Sequence, residues 1–120
     1  MQTNKIAVAA ACICVLAACA TPYGPKSSSS TGGYTDKKIA DGKYYIESLT
    51  NVPTGPEKAF EYWHRRAAEL CNGKPYAHDA VLSNKRMTNY GGIPGYYTKH
   101  DWPLVVGTAT CEVSEQSGEK

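Results

Sequence analysis

A small α+β domain, with one helix packed on an antiparallel or mixed sheet, is the fold class this sequence predicts. Two periodicities and one cysteine pair point to it. Phe60, Trp63, Ala67 and Leu70 recur at helical spacing between Pro56 and the Asn72-Gly73 pair. Val105, Gly107, Ala109, Cys111 and Val113 alternate along one face of an extended run. Cys71 ends the helix and Cys111 lies on the apolar face of the strand, so the two patterns independently bring the thiols together.

Taken in order, residues 21–33 hold Pro22, Pro25, four serines from Ser27 to Ser30, and Gly32-Gly33, with no apolar period. That composition predicts a flexible tether. Order is expected from Tyr34. Residues 43–49 read as a strand with Tyr44, Ile46 and Ser48 on one face and Lys43, Tyr45, Glu47 and Leu49 on the other. Neither face is cleanly apolar, which suits an edge strand. Thr54 is placed to cap the following helix, Pro56 fits its first turn, and Glu57 completes a capping box. Asn72-Gly73 and Pro75 stop it.

Residues 80–90 give a second strand around Val81, Leu82 and Met87, and residues 104–113 a third. The small Gly107 and Ala109 would let a helix bearing Phe60 and Trp63 approach closely. The predicted order is therefore strand, helix, strand, strand. Between the last two strands, residues 89–103 carry three glycines and two prolines, which predict an irregular loop. Tyr90, Tyr96, Tyr97 and Trp102 make that loop the candidate interaction site, since interfaces favour such rings. The alternative reading is a β-hairpin extension with its aromatics folded back on the sheet edge.

Composition excludes some functions. The chain has 120 residues, 13 Lys and Arg against 11 Asp and Glu, and a formal charge of +2. One core fits that length. His64-Arg65-Arg66 is the only tight basic group, so nucleic acid is excluded as a partner. Cys71 and Cys111 are expected to form a disulfide across a loop of about 40 residues, and no Cys-x-x-Cys or His-x-x-x-His spacing supports zinc. No metal or cofactor is expected.

At the N-terminus a single cation, Lys5, precedes an apolar run over residues 6–16 and then Leu16-Ala17-Ala18-Cys19. The run is shorter than the roughly 20 residues that span a bilayer. Its end resembles a bacterial lipobox. The resemblance implies a diacylglyceryl thioether on Cys19, cleavage before it, and acylation of the new amine. Two or three acyl chains hold a protein almost permanently, at about 0.8 kcal/mol per buried CH₂. Cys12 and Cys14 leave with the signal. Ala20, where Asp would resemble an inner-membrane retention signal, points to the outer membrane. The expected division is a signal peptide over residues 1–18, lipidated Cys19 and tether over 19–33, the domain over 34–114 and a disordered tail over 115–120.

Gly33-Tyr34-Thr35-Asp36-Lys37-Lys38-Ile39 together with Arg66-Ala67-Ala68-Glu69-Leu70 resembles a family of small Gram-negative envelope lipoproteins of uncharacterised activity. The resemblance implies an envelope location and a strand-helix-strand core, and it transfers no catalytic residue.

The residues themselves offer little chemistry. His64 sits on the helix beside apolar positions and reads as a partly buried, hydrogen-bonded side chain. His78-Asp79 and His100-Asp101 are neighbours in sequence, and adjacent strand residues face opposite ways. Ser48 and Ser83 lack a nucleophile motif, and three of Glu47, Glu57, Glu61 and Glu69 share a helix face expected to be solvated, against a glycosidase pair. The sequence thus predicts no enzyme but an outer-membrane, periplasm-facing lipoprotein with structural or protein-interaction roles. Its expected partners are the membrane, through the anchor, and an envelope protein or the cell wall. An inhibitor or immunity-type lipoprotein is the alternative, and a wall-active enzyme comes behind it.

Overall fold

In a computed structural model the structure describes residues 20–90, 95 and 97–113. Five strands and one helix follow in the order β1 (Gly32–Ala40), β2 (Lys43–Thr50), α1 (Gly55–Leu70), β3 (Tyr76–His78), β4 (Val81–Tyr90) and β5 (Tyr97–Cys111), after a 3₁₀ turn at Lys26–Ser28. The sheet is antiparallel throughout, with order β1-β2-β5-β3 and β4 also paired to β5. It carries α1 on one face, which is the α+β arrangement expected. Among the described residues no helix is long and apolar enough to cross a membrane.

β5 organises the sheet because its two edges are used by different partners. Residues 104–110 pair with β2 on one side. On the other, residues 109–111 pair with β3 and residues 97–106 with β4. The alternation read from the sequence holds: Val105 and Ala109 are fully buried under α1 with Ile46, Ala59, Trp63 and Ala67, and Phe60, Leu70, Tyr44, Tyr76 and Ala80 pack around them. Trp63 is the centre of this core, and its indole Nε1 donates to the Ile46 carbonyl at 2.8 Å. A buried indole needs that partner. Ser48, on the same face, is buried, and its hydroxyl has no hydrogen-bond partner among the described residues.

α1 ends in a Schellman motif, as Asn72-Gly73 foretold. Asn72 adopts φ 55°, its amide donates to Glu69 and the Gly73 amide donates to Ala68 at 2.9 Å. Cys71 then lies 5.3 Å, Cα to Cα, from Cys111, and the two form the expected disulfide across 40 residues.

Several expectations are overturned, each for a physical reason. Residues 43–49 form an interior strand, because the polar run Gly32–Ala40 forms β1 and covers what would have been the edge. Leu49, on the face away from α1, is only 3% exposed. Residues 97–103 are strand and not irregular loop: β5 begins at Tyr97, and Pro103 pairs with Asn84. Pro103 is tolerated because no neighbouring strand lies on its other side, β2 pairing only from Leu104. Gly107 makes room for the chain itself and not for the helix, since a Cβ there would come within 2.7 Å of the Ala80 Cα and 2.8 Å of its nitrogen. Val113 lies past the end of β5 and is 77% exposed. The Thr54 side chain makes no capping bond to α1. Asn51 takes that place, its carbonyl accepting from the Thr54 and Gly55 amides at 3.2 Å and its Oδ1 accepting from Thr54 N.

Candidate functional site

The end of the sheet where β1 starts, β2 stops and α1 begins gathers the residues of greatest functional interest. Thr21, expected in a free tether, is 0% exposed there. Its amide donates to Thr54 Oγ1 at 2.8 Å, and its hydroxyl donates to the Thr31 carbonyl at 2.6 Å. The same hydroxyl accepts from the Asn51 amide at 3.0 Å, while the Thr21 carbonyl accepts from the Tyr62 hydroxyl at 3.0 Å. Thr54 Oγ1 in turn donates to Asn51 Oδ1. Every polar group of Thr21 is satisfied, which is what makes its complete burial tolerable.

The following residues are laid down with it. The Tyr23 ring stands 5.3 Å from Tyr34 and 5.4 Å from Tyr62, with the Arg65 guanidinium 4.0 Å over its face. Its hydroxyl donates to Glu69 at 2.5 Å. Burial first, and then this bond to a carboxylate, push the Tyr23 hydroxyl well above its ordinary range. The bond to Tyr23, with help from Arg66 and Arg65, holds Glu69 below its own. The Tyr34 amide donates to the Gly24 carbonyl at 3.0 Å, and Pro25 bridges Tyr34 in parallel. Gly33 is needed here: its φ is +135°, and a Cβ would fall 2.6 Å from the Lys26 backbone. The segment read as a tether is therefore a strap on the domain from Thr21 onward, because its threonine and tyrosine find buried partners that composition does not reveal.

The tight basic group of the sequence is spent beside the strap, Arg65 on Tyr23 and Arg66 on β1 and α1. Arg66 donates to Asp36 at 2.7 Å and Glu69 at 3.2 Å and stacks 4.5 Å over Tyr34. Burial works against its charge, but the two carboxylates outweigh it and raise it above its ordinary value.

Trp102 lies in β5, directly across from Lys85, on the face that α1 leaves uncovered. With Asn51, Val52, Pro53 and His100 it lines an open groove of about 300 Å³. Val52 is 54% exposed. Beside it a second groove of about 200 Å³ is lined by Lys26, Glu47, Leu49, Lys85 and Leu104. Lys26 is held below its ordinary value by the contact with Lys85 first and burial second. Lys26 and Lys85 thus share a groove with the Glu47 carboxylate beside the apolar Leu49 and Leu104.

Of the candidate interaction residues, Tyr90 and Tyr97 form the last pair of the β4–β5 ladder. The arm they close runs past the end of β2 by residues 97–103, about 23 Å at 3.3 Å per residue. The backbone on both sides of residues 91–94 and 96 thus forms a hairpin extension, while the direction of the Tyr90 and Tyr97 rings lies outside the described residues. Arg86 donates to Asp101 across the arm at 2.5 Å. Tyr96, Cys19, the signal over residues 1–18 and the tail over residues 115–120 lie outside the described residues.

The remaining titratable groups are brought together at the opposite end. His64 Nδ1 lies 2.7 Å from the Tyr76 hydroxyl, and the His64 and His78 rings meet edge to face at 4.5 Å. Burial, and then the nearby His78, lower the His64 pKa below its ordinary 6.5. His64 is thus the partly buried, hydrogen-bonded side chain expected. Asp79 does not orient His78; its Oδ1 accepts from the Thr108 amide at 2.6 Å, and His78 Nδ1 accepts from the Ala80 amide at 3.3 Å. Among the described residues no three His, Cys, Asp or Glu side chains are placed to hold a metal ion.

The sequence reading missed the Thr21 knot and the Lys26–Lys85 meeting. A buried threonine in a serine-rich run carries no periodic signal, and the lysines are 59 residues apart in sequence. The chain matches no protein-family model, no curated protein and no solved structure.

Proposed function

We propose that this chain is a non-catalytic lipoprotein, acylated on Cys19 and held on the periplasmic face of the outer membrane, where its domain serves structural or protein-interaction roles in the envelope. The observation that carries the reading is Leu16-Ala17-Ala18-Cys19 at the end of a short apolar segment. The fold is compatible with this, because Thr21, which is buried and hydrogen-bonded in the domain, follows the proposed lipidation position by two residues. The disulfide fits an oxidising compartment.

The non-catalytic part rests on where the polar groups are spent. Asp79 holds the turn before β4, Asp101 pairs with Arg86, His64 is engaged by Tyr76, and Ser48 is sealed beneath α1. No nucleophile, base and orienting group share one accessible position among the described residues. The overhanging β4–β5 arm favours a second reading, an inhibitor or immunity-type lipoprotein that inserts the arm into a partner's cleft.

Growth with a clickable fatty acid tests the anchor. Wild-type protein should be labelled and Cys19→Ala should not; equal labelling, or a mature N-terminus elsewhere, contradicts the reading. Degradation of purified cell wall by the purified protein would contradict its non-catalytic part.

A further inference from the structure

The strap changes what an anchor on Cys19 would do. Two residue steps separate Cys19 from Thr21, at most about 7 Å of extended chain. Thr21 cannot swing, because four hydrogen bonds fix it to Thr31, Asn51, Thr54 and Tyr62. The loop just before Thr54, bonded to Thr21, therefore stays within a short reach of Cys19. A headgroup layer is itself about 5–8 Å thick on each side of the hydrocarbon. With its acyl chains in the bilayer, Cys19 would hold this end of the domain next to the headgroup layer.

The surface at that end has the chemistry the headgroup layer takes. Val52, Pro53 and Trp102 share one open groove, with Val52 more than half exposed. Tryptophan is favoured at the membrane–water interface, where its ring is half apolar and its N–H finds polar partners. Lys26 and Lys85 flank the patch, crowded together beside Leu104. Glu47 lines the same groove and offsets only one of the two positive charges, so a phosphate beside the two ammonium groups still relieves their repulsion, and lysines near an anionic leaflet are attracted to it.

We propose that this end of the sheet docks on an anionic phospholipid bilayer, with Val52, Pro53 and Trp102 in the headgroup layer and Lys26 and Lys85 on its phosphates, so that the domain is held in one orientation on the leaflet that anchors it. The inference rests on the anchor at Cys19 proposed above. It commits this surface to lipid and leaves a protein partner the rest of the domain.

The test uses the full chain produced with its anchor and reconstituted in phosphatidylethanolamine–phosphatidylglycerol vesicles that contain lipid brominated near the headgroup. The protein has two tryptophans, and Trp63 is fully buried in the core, so quenching reports on Trp102. Wild type should lose roughly half of its tryptophan emission, and Trp102→Phe should lose little. Val52→Glu and Lys85→Glu, both at exposed positions and checked for unchanged melting, should each cut the quenching about twofold. Mass spectrometry of the same sample separates the two ideas. Lipid on Cys19 with wild type quenched no more than Trp102→Phe overturns the docking alone. Trp102 shielded from acrylamide in whole envelopes but unquenched by bromolipid also overturns it and assigns the surface to a protein. A Cys19 without lipid overturns both the anchor and the docking.

Discussion

The strap over residues 21–28 and the arm built from residues 84–90 and 97–103 meet the same end of the sheet, and they differ in how they are held. The strap has almost no regular structure, one 3₁₀ turn, yet Thr21 is sealed and Tyr23 is packed between Tyr34, Tyr62 and Arg65. The arm has a full antiparallel ladder, yet from Val81 to Arg86 every residue of β4 is exposed. A hydrogen-bonded ladder leaves an exposed strand open to local fraying, whereas a few buried and satisfied polar groups close an irregular segment down. Regularity and fixation are separate properties here: the strap is irregular and fixed, and the arm is regular and exposed.

The largest effect should come from a tie that belongs to neither region, the disulfide between the end of α1 and the end of β5. Replacing Cys71 and Cys111 together by serine removes a constraint across 40 residues. The expected loss is about 4 kcal/mol, which lowers the melting temperature of a domain this size by at least about 15 °C in calorimetry. A loss of only a few degrees would mean that the helix end is held by packing alone.

The next effect sharpens the contrast between strap and arm directly. Thr21→Val keeps the shape but removes the hydroxyl that bonds the Asn51 amide and the Thr31 carbonyl. A cost of about 2 kcal/mol is expected, because each buried group left unpaired loses roughly 1–3 kcal/mol. Trp102→Ala, on the uncovered face, should cost less than about 1 kcal/mol. Urea denaturation of the two variants would reverse the assignment of roles if Trp102→Ala proved the more damaging.

The sequence made the regular elements legible and the contacts between them much less so. The α1 positions Trp63 and Ala67 and the β5 positions Val105 and Ala109 announce themselves by period, because burial on one side of a helix or strand imposes one. The disulfide was legible for the same reason, each cysteine falling at the end of a patterned element. β1 was not, since its residues 35–40 are solvent-facing and mostly polar, even Ile39 being half exposed, and its pairing to β2 is a backbone property. Nor was the arm: Pro103 and the glycines before it argue against strand, while the absence of a neighbour beside Pro103 is a fact of topology. In the candidate site, Trp102 stood out by residue type, but Thr21 and Lys26 did not. Their importance comes from Thr54, Asn51 and Lys85, which are distant in sequence.

The smallest effect comes from the end opposite the strap. His64 titrates below its ordinary 6.5 because burial, then His78, disfavours its charged form, with the Tyr76 hydroxyl beside Nδ1. Above 6.5 both folded and unfolded chains hold it neutral, so its share of stability is intact. As the pH falls below 6.5 the unfolded chain takes up the proton first, and stability declines until the lowered native value is passed. Melting followed from pH 7.5 to 5 should show this decline in wild type and a flatter profile in His64→Gln. An identical slope in both would remove His64 from the account.

Amide hydrogen exchange on the chain from Ala20 onward tests most directly whether residues 21–28 are part of the domain or a tether. The Thr21 amide bonded to Thr54, the Asn51 amide bonded to Thr21 and the Tyr34 amide bonded to Gly24 should exchange as slowly as the amides of β2 and α1. If the Thr21 and Tyr34 amides exchange at the rate of an unstructured chain while β2 and α1 stay protected, the strap is loose, Cys19 has a free tether after all, and the account is contradicted.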